Sequence, residues 1–462
     1  MTKTIQLISP VDGQVYLERP ALTPDAARAA VARAKAAQPA WAARPLEDRI
    51  ALVKAGVAKL AEMKEVLVGE LAWQMGRPTR YGGEFGGVAE RTDYMSGIAA
   101  TALAPMVAEH SDRFERRITR EPVGVVFIIA PWNYPYLTTI NTLAPALIAG
   151  NTVMLKHATQ TLKVGERLAE AFHAAGVPAD VFQNVVLDHE TTEALIAARG
   201  FGFINFTGSV GGGAAIERAA AGTFTGLGLE LGGKDPGLVL PDADLDLAVD
   251  GLMDGAMYNA GQCCCGIERI YVHDSLFGDF VEKAVAWVGQ LRLGNPFDAA
   301  TTLGPMANRR FAATVRAQTA EAIAAGAQAL IDPKAHPADD GGAYLAPQIL
   351  VNVDHSMRVM REESFGPVVG IMPYRDDSDA IRLMNDSPYG LTASIWTQDA
   401  GRAAAIGAEV ETGTVFMNRC DYLDPALTWT GVKDTGRGAS LSHLGFMSVT
   451  RPKSWHLRKV AK

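Results

Sequence analysis

The chain has 462 residues, of which 48% are hydrophobic and 20% are charged, a composition typical of a globular protein. Its length exceeds the size at which one hydrophobic core keeps growing, so we expect at least two substructures. The formal net charge is -8 and no run of Lys or Arg occurs, which excludes the electrostatic footprint of a nucleic-acid or anionic-membrane binder. We therefore expect small molecules and other subunits as partners.

Residues 1–6 lack the apolar segment of a signal peptide, and no apolar run approaches the roughly 20 residues that cross a membrane. Four cysteines, three of them contiguous, are a poor disulfide framework for so long a chain. Both features predict a cytoplasmic protein.

The first elements predicted are a strand pair within residues 5–19, turned at Asp12-Gly13, and an Ala-rich helix with Thr23 as its N-cap. Pro45 ends this helix, and a second amphipathic helix follows.

From about residue 121 apolar strands and helices alternate, which predicts a parallel sheet covered on both faces. Such a sheet binds ligands at the carboxyl ends of its strands. The strands are predicted at 125–130, 151–157, 181–187 and 201–207, and the helices at 137–149, 162–175 and 190–199.

A Gly-rich turn at 208–213 follows the strand ending at Thr207 and precedes a predicted helix at 214–220. Its free N–H groups and the helix dipole suit a phosphate, although the turn lacks GxGxxG spacing and equally suits a turn without ligand. A strand at 224–232 ends near Glu230, and a second alternating region begins after 236. That region has a strand at 269–272, helices at 276–290 and 308–325, and a loop at 331–343.

Three contiguous cysteines, Cys263, Cys264 and Cys265, lie in an apolar, Gly-rich stretch. They are equally consistent with small core residues and with a reactive nucleophile. A metal site is not expected, because three successive side chains should not converge on one tetrahedral ion. In an extended chain the flanking pair would point away from Cys264.

Five stretches, in this order, resemble the aldehyde dehydrogenase superfamily across almost the whole chain. Glu230 and Cys264 lie 34 residues apart, as in that family. The stretches are Pro131-Trp132-Asn133-Tyr134-Pro135, Phe206-Thr207-Gly208-Ser209 with Gly213, Glu230-Leu231-Gly232-Gly233-Lys234, Gly261-Gln262-Cys263-Cys264 and Glu363-Ser364-Phe365-Gly366-Pro367-Val368.

The resemblance implies a catalytic set of three residues. Cys264 would attack the aldehyde carbon, the Asn133 amide and the Cys264 backbone N–H would hold the oxyanion, and Glu230 would activate water for thioester hydrolysis. The alternatives are that Glu230 is a solvated charge at a strand end and that Asn133 caps a turn.

The resemblance also implies NAD or NADP as the cofactor. Many NAD-preferring relatives carry Glu where this chain has Thr159, and Thr removes the repulsion of a 2′-phosphate, so NADP should be tolerated or preferred. The cofactor-binding residues implied are Trp132, Lys156, Thr159, Gly208, Ser209, Gly213, Glu363 and Phe365.

The substrate positions implied by the resemblance are Tyr134, Asn141, Tyr258 and Trp429. Relatives specific for succinate semialdehyde have arginines where this chain has Asn141 and Tyr258, and a neutral pair cannot offset the desolvation of a carboxylate. We therefore expect a neutral aliphatic or aromatic aldehyde in an aromatic tunnel. A cationic amino-aldehyde held by cation–π contacts is the alternative.

The predicted fold is α/β: a Rossmann-like parallel-sheet cofactor domain (1–103 and 121–232), an α/β catalytic domain (233–425), and a β oligomerisation arm with a C-terminal tail (104–120 and 426–462). The arm predicts a homodimer or homotetramer, since exposed strand edges need a partner. The alternatives to hydrolytic oxidation are acyl transfer to coenzyme A and a non-catalytic binding protein on this fold.

Overall fold

The computed structural model describes residues 3–460, so residues 1–2 and 461–462 of the predicted domain and tail lie outside it. Its strands are β1 Thr4–Ile8, β2 Val15–Pro20, β3 Met106–His110, β4 Phe114–Pro122, β5 Val125–Ile129, β6 Thr152–Lys156, β7 Phe182–Asn184, β8 Phe203–Thr207, β9 Gly226–Glu230, β10 Asp235–Val239, β11 Ile267–His273, β12 Gln328–Ala329, β13 Gln348–Val351, β14 Val368–Tyr374, β15 Tyr389–Gly390, β16 Thr392–Trp396, β17 Thr414–Met417, β18 Val432–Lys433, β19 Gly436–Arg437 and β20 Thr450–Arg458.

The helices surround these strands. They are α1 Pro24–Ala42, α2 Leu46–Glu62, α3 Lys64–Met75, α4 Phe85–Ala102, α5 Pro135–Ile148, α6 Leu162–Ala174, α7 His189–Ala197, α8 Val210–Ala220, α9 Leu245–Met257, α10 Phe277–Val288, α11 Arg309–Ala324, α12 Arg358–Arg361, α13 Asp377–Asn385, α14 Ala400–Glu409 and α15 Ser442–Ser448.

The first large sheet has the order β19-β9-β8-β5-β6-β7. Strands β9, β8, β5, β6 and β7 are parallel, and the short β19 adds to β9 antiparallel. Every residue of β5 and β6 is buried, because helices cover both faces of the sheet. The alternation of strands and helices predicted after residue 121 is thus confirmed.

The second large sheet has the order β12-β13-β14-β11-β10-β16-β17 and is parallel except for β12. Its core lies between the sheet and helices α9 and α10, where Phe280, Ile270 and Trp396 are buried. The carboxyl end of β9, at Glu230, is followed closely in the chain by the start of β10 at Asp235, and the cysteine stretch directly precedes β11.

A third, antiparallel sheet has the order β20-β4-β3. Residues 436–437, within the predicted tail, belong instead to the first sheet, and α15 packs against α4 and α5. The exact domain boundaries stay a prediction.

The N-terminal region has the predicted hairpin, β1 with β2, and Thr23 accepts a hydrogen bond from Ala26 N at 3.2 Å as the N-cap of α1. Helix α8 begins at Val210, four residues before the predicted start, because Ser209 caps it. Within residues 3–460 no helix combines the length and apolarity needed to cross a bilayer.

Candidate functional site

A cleft of about 500 Å³ opens where the carboxyl end of the first sheet meets the loops of the second. It brings together all three predicted catalytic side chains and all but one of the predicted cofactor residues. These are Trp132, Asn133, Lys156, Thr159, Gly208, Ser209, Glu230, Cys264, Glu363 and Phe365. Gly213 and the four predicted substrate residues do not line this cleft.

The loop that carries Cys264 has an unusual backbone. Asn259, Ala260 and Gly261 have φ values of 54°, 56° and 66°, a left-handed run that costs free energy at the first two positions. A Cβ on Gly261 would lie 2.3 Å from the carbonyl oxygen of Gly366, so the close approach of the two loops requires glycine there. This conformation places Cys264 at the cleft, half-buried, while Cys263 and Cys265 are buried.

The three cysteine sulfurs lie within 4.8 Å of one another, so the expectation that successive cysteines would diverge is wrong. The reason is that the chain turns at Cys264 and Cys265 and does not run as a strand. The sulfurs of Cys263 and Cys265 are 3.5 Å apart, and both thiols donate to Asp421 Oδ1, at 3.0 and 2.9 Å.

This arrangement activates Cys264. Interaction with the neighbouring thiols of Cys263 and then Cys265, whose sulfurs lie within 4.8 Å of its own, holds the pKa of Cys264 well below its usual value against the opposing effect of burial. The thiolate is the nucleophilic form of cysteine, so Cys264 is the reactive thiol of the three.

Two donors beside Cys264 have no acceptor within residues 3–460: the Asn133 side-chain amide and the Cys264 backbone N–H. Asn133 is 4% exposed. Its carbonyl oxygen, by contrast, accepts from Arg77 and from Asn259 Nδ2, the latter at 3.3 Å. The backbone is therefore held in place while the side-chain amide remains free for a ligand.

A buried ion pair that the sequence did not reveal supports this loop. Arg77 Nη1 lies 2.7 Å from Glu84 Oε1, and Glu84 Oε2 accepts from the N–H groups of Tyr136 and Leu137 at 2.9 and 2.7 Å. Glu84 thus caps the first turn of α5, which follows Asn133.

Arg77 also connects Asn133 to the cysteine loop. Its Nε donates to Asn259 Oδ1 at 3.2 Å, while Asn259 Nδ2 donates to Gln262 O at 3.2 Å. Asn133 and Cys264 lie on loops distant in sequence, and Arg77 with Asn259 fixes one loop relative to the other. Nothing in the local pattern around Arg77 indicates this role.

Glu230, at the end of β9, also faces the cleft. Burial, together with the charge of Cys264, raises the pKa of Glu230 to about 7, and Thr207 Oγ1 donates to its Oε2 at 3.2 Å. A carboxylate with this pKa is a competent general base near neutral pH. It is partly buried and hydrogen-bonded, unlike a solvated charge at a strand end.

The Gly-rich turn is the N-terminus of α8. Ser209 accepts from Gly212 N at 3.2 Å and caps the helix, whose dipole points into the cleft. Gly213 packs against Leu231, where a Cβ would lie 2.6 Å from that side chain. This close packing of helix and strand requires glycine there, and the contact of Gly213 with the cofactor stays a prediction.

Lys156 ends β6 with its side chain in the cleft wall. Burial lowers the pKa of Lys156, and its ammonium has no hydrogen bond or ion pair among residues 3–460. Thr159 lines the same end and is exposed, and α7 brings Glu193 to that end as well. This end suits a ligand rich in hydroxyl or phosphate oxygens.

Aromatic rings form the opposite end. Trp132 stacks on Phe311 at 5.2 Å and meets Phe365 edge-on at 5.4 Å. Glu363 accepts from Gly233 N at 3.1 Å, and burial and the neighbouring Glu268 raise the pKa of Glu363 to about 8.

A second buried ion pair, Lys234 with Glu268, fixes this loop. Glu268 accepts from the N–H groups of Ser364 and Phe365, both at 2.8 Å.

The four predicted substrate residues are spread around the far side of Cys264. Tyr134 and Trp429 pack in one cluster with the cysteines, whereas Tyr258 meets Tyr81 edge-on at 5.0 Å. Asn141 is buried on α5, and its Oδ1 accepts from Arg91 Nη1 at 3.0 Å. Asn141 and Tyr258 are themselves neutral, but α4 brings the positive charge of Arg91 to Asn141.

Comparison with known proteins agrees with this geometry. The family model described as "Aldehyde dehydrogenase family" matches residues 1–455. The chain is 32% identical over 449 residues to the NADP(+) succinate-semialdehyde dehydrogenase of Deinococcus radiodurans, covering 96% of this chain and 93% of that enzyme. It is 33% identical over 460 residues to the 3,6-anhydro-alpha-L-galactose dehydrogenase of Streptomyces coelicolor, covering 98% and 93%.

The fold agrees equally well with solved structures. The crystal structure of PnpE in complex with nicotinamide adenine dinucleotide superposes with a TM-score of 0.94 at 30% identity, covering 100% of this chain and 95% of that one. With the family model matching nearly every residue and the cleft assembled around Cys264, the chain belongs to the aldehyde dehydrogenase family and is an NAD(P)-dependent oxidoreductase.

Proposed function

We propose that the protein oxidises an aldehyde to the carboxylic acid through a thioester on Cys264. The observation that carries the proposal is the convergence on one cleft of the Cys264 thiol, whose pKa is lowered, two free N–H donors and a carboxyl group with a pKa of about 7. Each group supplies a different step, and neutral pH suits all of them.

The first step is addition of the Cys264 thiolate to the aldehyde carbon. The new oxyanion is held by the Asn133 amide and the Cys264 N–H, which no protein acceptor occupies. Such a donor contributes about 3 to 4 kcal/mol to the transition state in other acyl-transfer enzymes, so Asn133→Ala should slow the reaction by two to three powers of ten. NAD(P)+, held by the cleft residues described below, would supply the acceptor for the hydride that leaves the adduct.

Glu230 then removes a proton from the water that attacks the thioester carbonyl. The acid leaves and the Cys264 thiolate is restored. Because a base with a pKa of about 7 stands in the cleft, we assign hydrolysis, not transfer to coenzyme A, as the second half-reaction. Measuring acid against acyl-CoA formation separates the two.

The residues of the cleft fit a dinucleotide. The N-terminus of α8 suits the pyrophosphate, Lys156 the adenosine ribose, and Glu363 with Phe365 the nicotinamide end. Thr159 places no carboxylate beside Lys156, so we propose that NADP is accepted or preferred.

For the substrate, the expectation of a neutral aldehyde depended on the neutral side chains of Asn141 and Tyr258. Arg91 donates a hydrogen bond to Asn141 and so brings a positive charge to one of these two positions. The substrate class therefore depends on what Arg91 does, which is argued below.

We also propose that the chain self-associates through the third sheet. This sheet has two open edges, β3 and β20, and Met106 and Val107 on β3 are 69% and 64% exposed. Open strand edges with apolar side chains favour pairing with a second copy. Light scattering after size exclusion should give the mass of a dimer or tetramer, and a monomer at micromolar concentration would refute this.

The activity is tested by a burst assay. Wild-type protein mixed with aldehyde and NADP+ or NAD+ should release NAD(P)H in a first turnover and then continue to acid. Cys264→Ala should show neither phase. If it retained the burst, another nucleophile would carry the reaction.

A further inference from the structure

Arg91 is the feature of the aldehyde side that the reaction itself does not use. It lies on α4, is 7% exposed, and forms no ion pair within residues 3–460. Burial of an arginine without a counter-ion is costly, and the cost is reduced by an anion in hydrogen-bonding contact. An unpaired buried guanidinium therefore indicates an anionic ligand.

The hydrogen bonds of Arg91 leave one edge of the guanidinium free. Nη1 donates to Leu137 O and Asn141 Oδ1, both at 3.0 Å, and Nε and Nη2 have no acceptor among the described residues. Asn141 is 2% exposed, and since its Oδ1 accepts from Arg91, its Nδ2 remains a buried donor without an acceptor. The donors that remain free, Nε and Nη2 of Arg91 and Nδ2 of Asn141, thus lie on two side chains that are hydrogen-bonded to each other.

The position along α5 connects this pair to the reactive cysteine. Tyr134, Leu137 or Thr138, and Asn141 follow the i, i+3/i+4, i+7 spacing of one helix face, and α5 packs against α4. Tyr134 packs in the cluster that includes Cys264, and its hydroxyl also has no partner. Seven residues of helix rise by about 10 Å, so this face leads from Cys264 to Arg91 over the length of a short substrate chain.

The charges around Arg91 allow an anion there. Glu84 is neutralised by Arg77 at 2.7 Å. Burial raises the pKa of the two carboxyl groups next to the cysteines, Glu230 to about 7 and Asp421 to about 6. Glu90, on the same helix, accepts from the Tyr422 hydroxyl at 2.8 Å at the surface.

We propose that Arg91, with Asn141, binds the distal carboxylate of a semialdehyde substrate. The free Nε–Nη2 edge of a guanidinium matches a carboxylate in two parallel hydrogen bonds, and the Asn141 amide adds a third donor. This inference rests on the proposed aldehyde oxidation and names its substrate class. It reverses the expectation of a neutral substrate, which considered only residues 141 and 258.

The experiment compares kcat/KM for succinate and glutarate semialdehydes with butanal and pentanal, in wild type, Arg91→Met and Arg91→Lys. Wild type should prefer the acids. Arg91→Met should lower kcat/KM for the acids by about 30-fold or more, as loss of one partner of a buried charge pair does, and leave the neutral aldehydes within about threefold. Arg91→Lys should keep part of the preference, since it retains charge without the planar fork.

Asp93→Asn is the matched control, because it alters the exposed charge of the same helix, which pairs with Lys54 at 2.8 Å. The proposal would be overturned if the ratio of kcat/KM for the semialdehydes to kcat/KM for the neutral aldehydes were the same in Arg91→Met and in wild type. Oxidation of butanal by the variant would show that the variant is folded and active. A wild type that preferred the neutral aldehydes would overturn it as well. Absence of turnover with all four aldehydes would instead contradict the proposed oxidation itself.

Discussion

The two sides of Cys264 are built in different ways. On the cofactor side, short contiguous stretches at strand ends, such as Thr207-Gly208-Ser209 after β8, form an open cleft with free polar groups. On the aldehyde side, helices α4 and α5 and the cysteine loop meet in a closed, mainly apolar packing with a few buried polar groups, among them Arg91. The comparison shows that functional residues on one contiguous turn can be predicted from a sequence. Functional residues that separate helices bring together cannot.

After the complete loss expected for Cys264→Ala, the largest effect on activity is expected from Glu230→Gln. Steady-state acid formation should fall by about 10²- to 10⁴-fold, because the general base for water is lost, while the NAD(P)H burst remains. In wild type the steady-state rate should increase with pH as Glu230 loses its proton around pH 7. This increase should be absent in the variant. Stopped-flow absorbance at several pH values measures both phases.

The same substitution carries a stability prediction with a defined sign. The folded pKa of Glu230 lies above its unfolded value of 4.5, so its contribution to stability is fully present below pH 4.5 and is lost as pH rises through about 7. At pH 9 the free energy of unfolding of Glu230→Gln should therefore exceed that of wild type by on the order of 1 to 2 kcal/mol, and its melting temperature should be higher. At pH 5 the difference should be smaller. Equal melting temperatures at pH 9 would show that Glu230 is not destabilised by burial.

Substitution of Arg77 tests whether its hydrogen bonds hold the loop of Asn133 in place relative to the loop of Cys264. Arg77→Met should lower kcat by about 10- to 100-fold by releasing Asn133 from the cysteine loop, and should destabilise the fold by about 3 to 5 kcal/mol since Glu84 is left unpaired. Arg77→Lys keeps the ion pair and should recover most stability but less of kcat. If Arg77→Lys recovered kcat to the same extent as stability, relative to Arg77→Met, the role of Arg77 would be purely structural.

The cofactor side is tested by Thr159→Glu. A carboxylate beside Lys156 should repel a 2′-phosphate and weaken NADP by about 10- to 100-fold relative to NAD. Glu193→Gln, which removes the carboxylate that α7 brings to the same end, should shift preference in the opposite direction. Fluorescence titration with both nucleotides measures the change, and wild-type binding of NADP hundreds of times weaker than NAD would contradict the role given to Thr159.

The smallest effect is expected from Cys263→Ser and Cys265→Ser. The sequence alone predicted only altered stability or oxidation sensitivity, but in the structure both thiols lie next to Cys264 and lower its pKa. Each variant should change the pKa of Cys264, read from the pH dependence of its alkylation by iodoacetamide, with a change in rate of a few-fold at most. Cys420→Ser is the control, because that thiol donates to Gly251 O, outside the cluster.

The sequence predicted the first sheet well because each strand of β5 to β9 is a separate apolar run bounded by turns. It also located Cys264, Glu230 and Asn133, because the spacing between motifs carries information that no single motif has. It did not reveal Arg77, Arg91 or Asp421, since their roles arise from contacts across 56, 50 and 156–158 residues of chain. Its prediction that Gly213 contacts the cofactor stays a prediction, and the structure adds that Gly213 packs against Leu231.

The left-handed run at Asn259 and Ala260 explains the remaining error. Alanine rarely adopts such a conformation, so the sequence did not predict that the chain turns just before the cysteines. Gly261 approaches Gly366 closely there, the chain turns again at Cys264 and Cys265, and the three sulfurs lie together.

The central claim is that Cys264 carries the acyl group and Glu230 releases it. Intact-protein mass spectrometry of Glu230→Gln after mixing with aldehyde and NAD(P)+ tests it most directly. The account predicts an adduct with the mass of the aldehyde less two hydrogens, mapped to the peptide containing Cys264. An unmodified protein after the NAD(P)H burst, or an adduct on another residue, would contradict it.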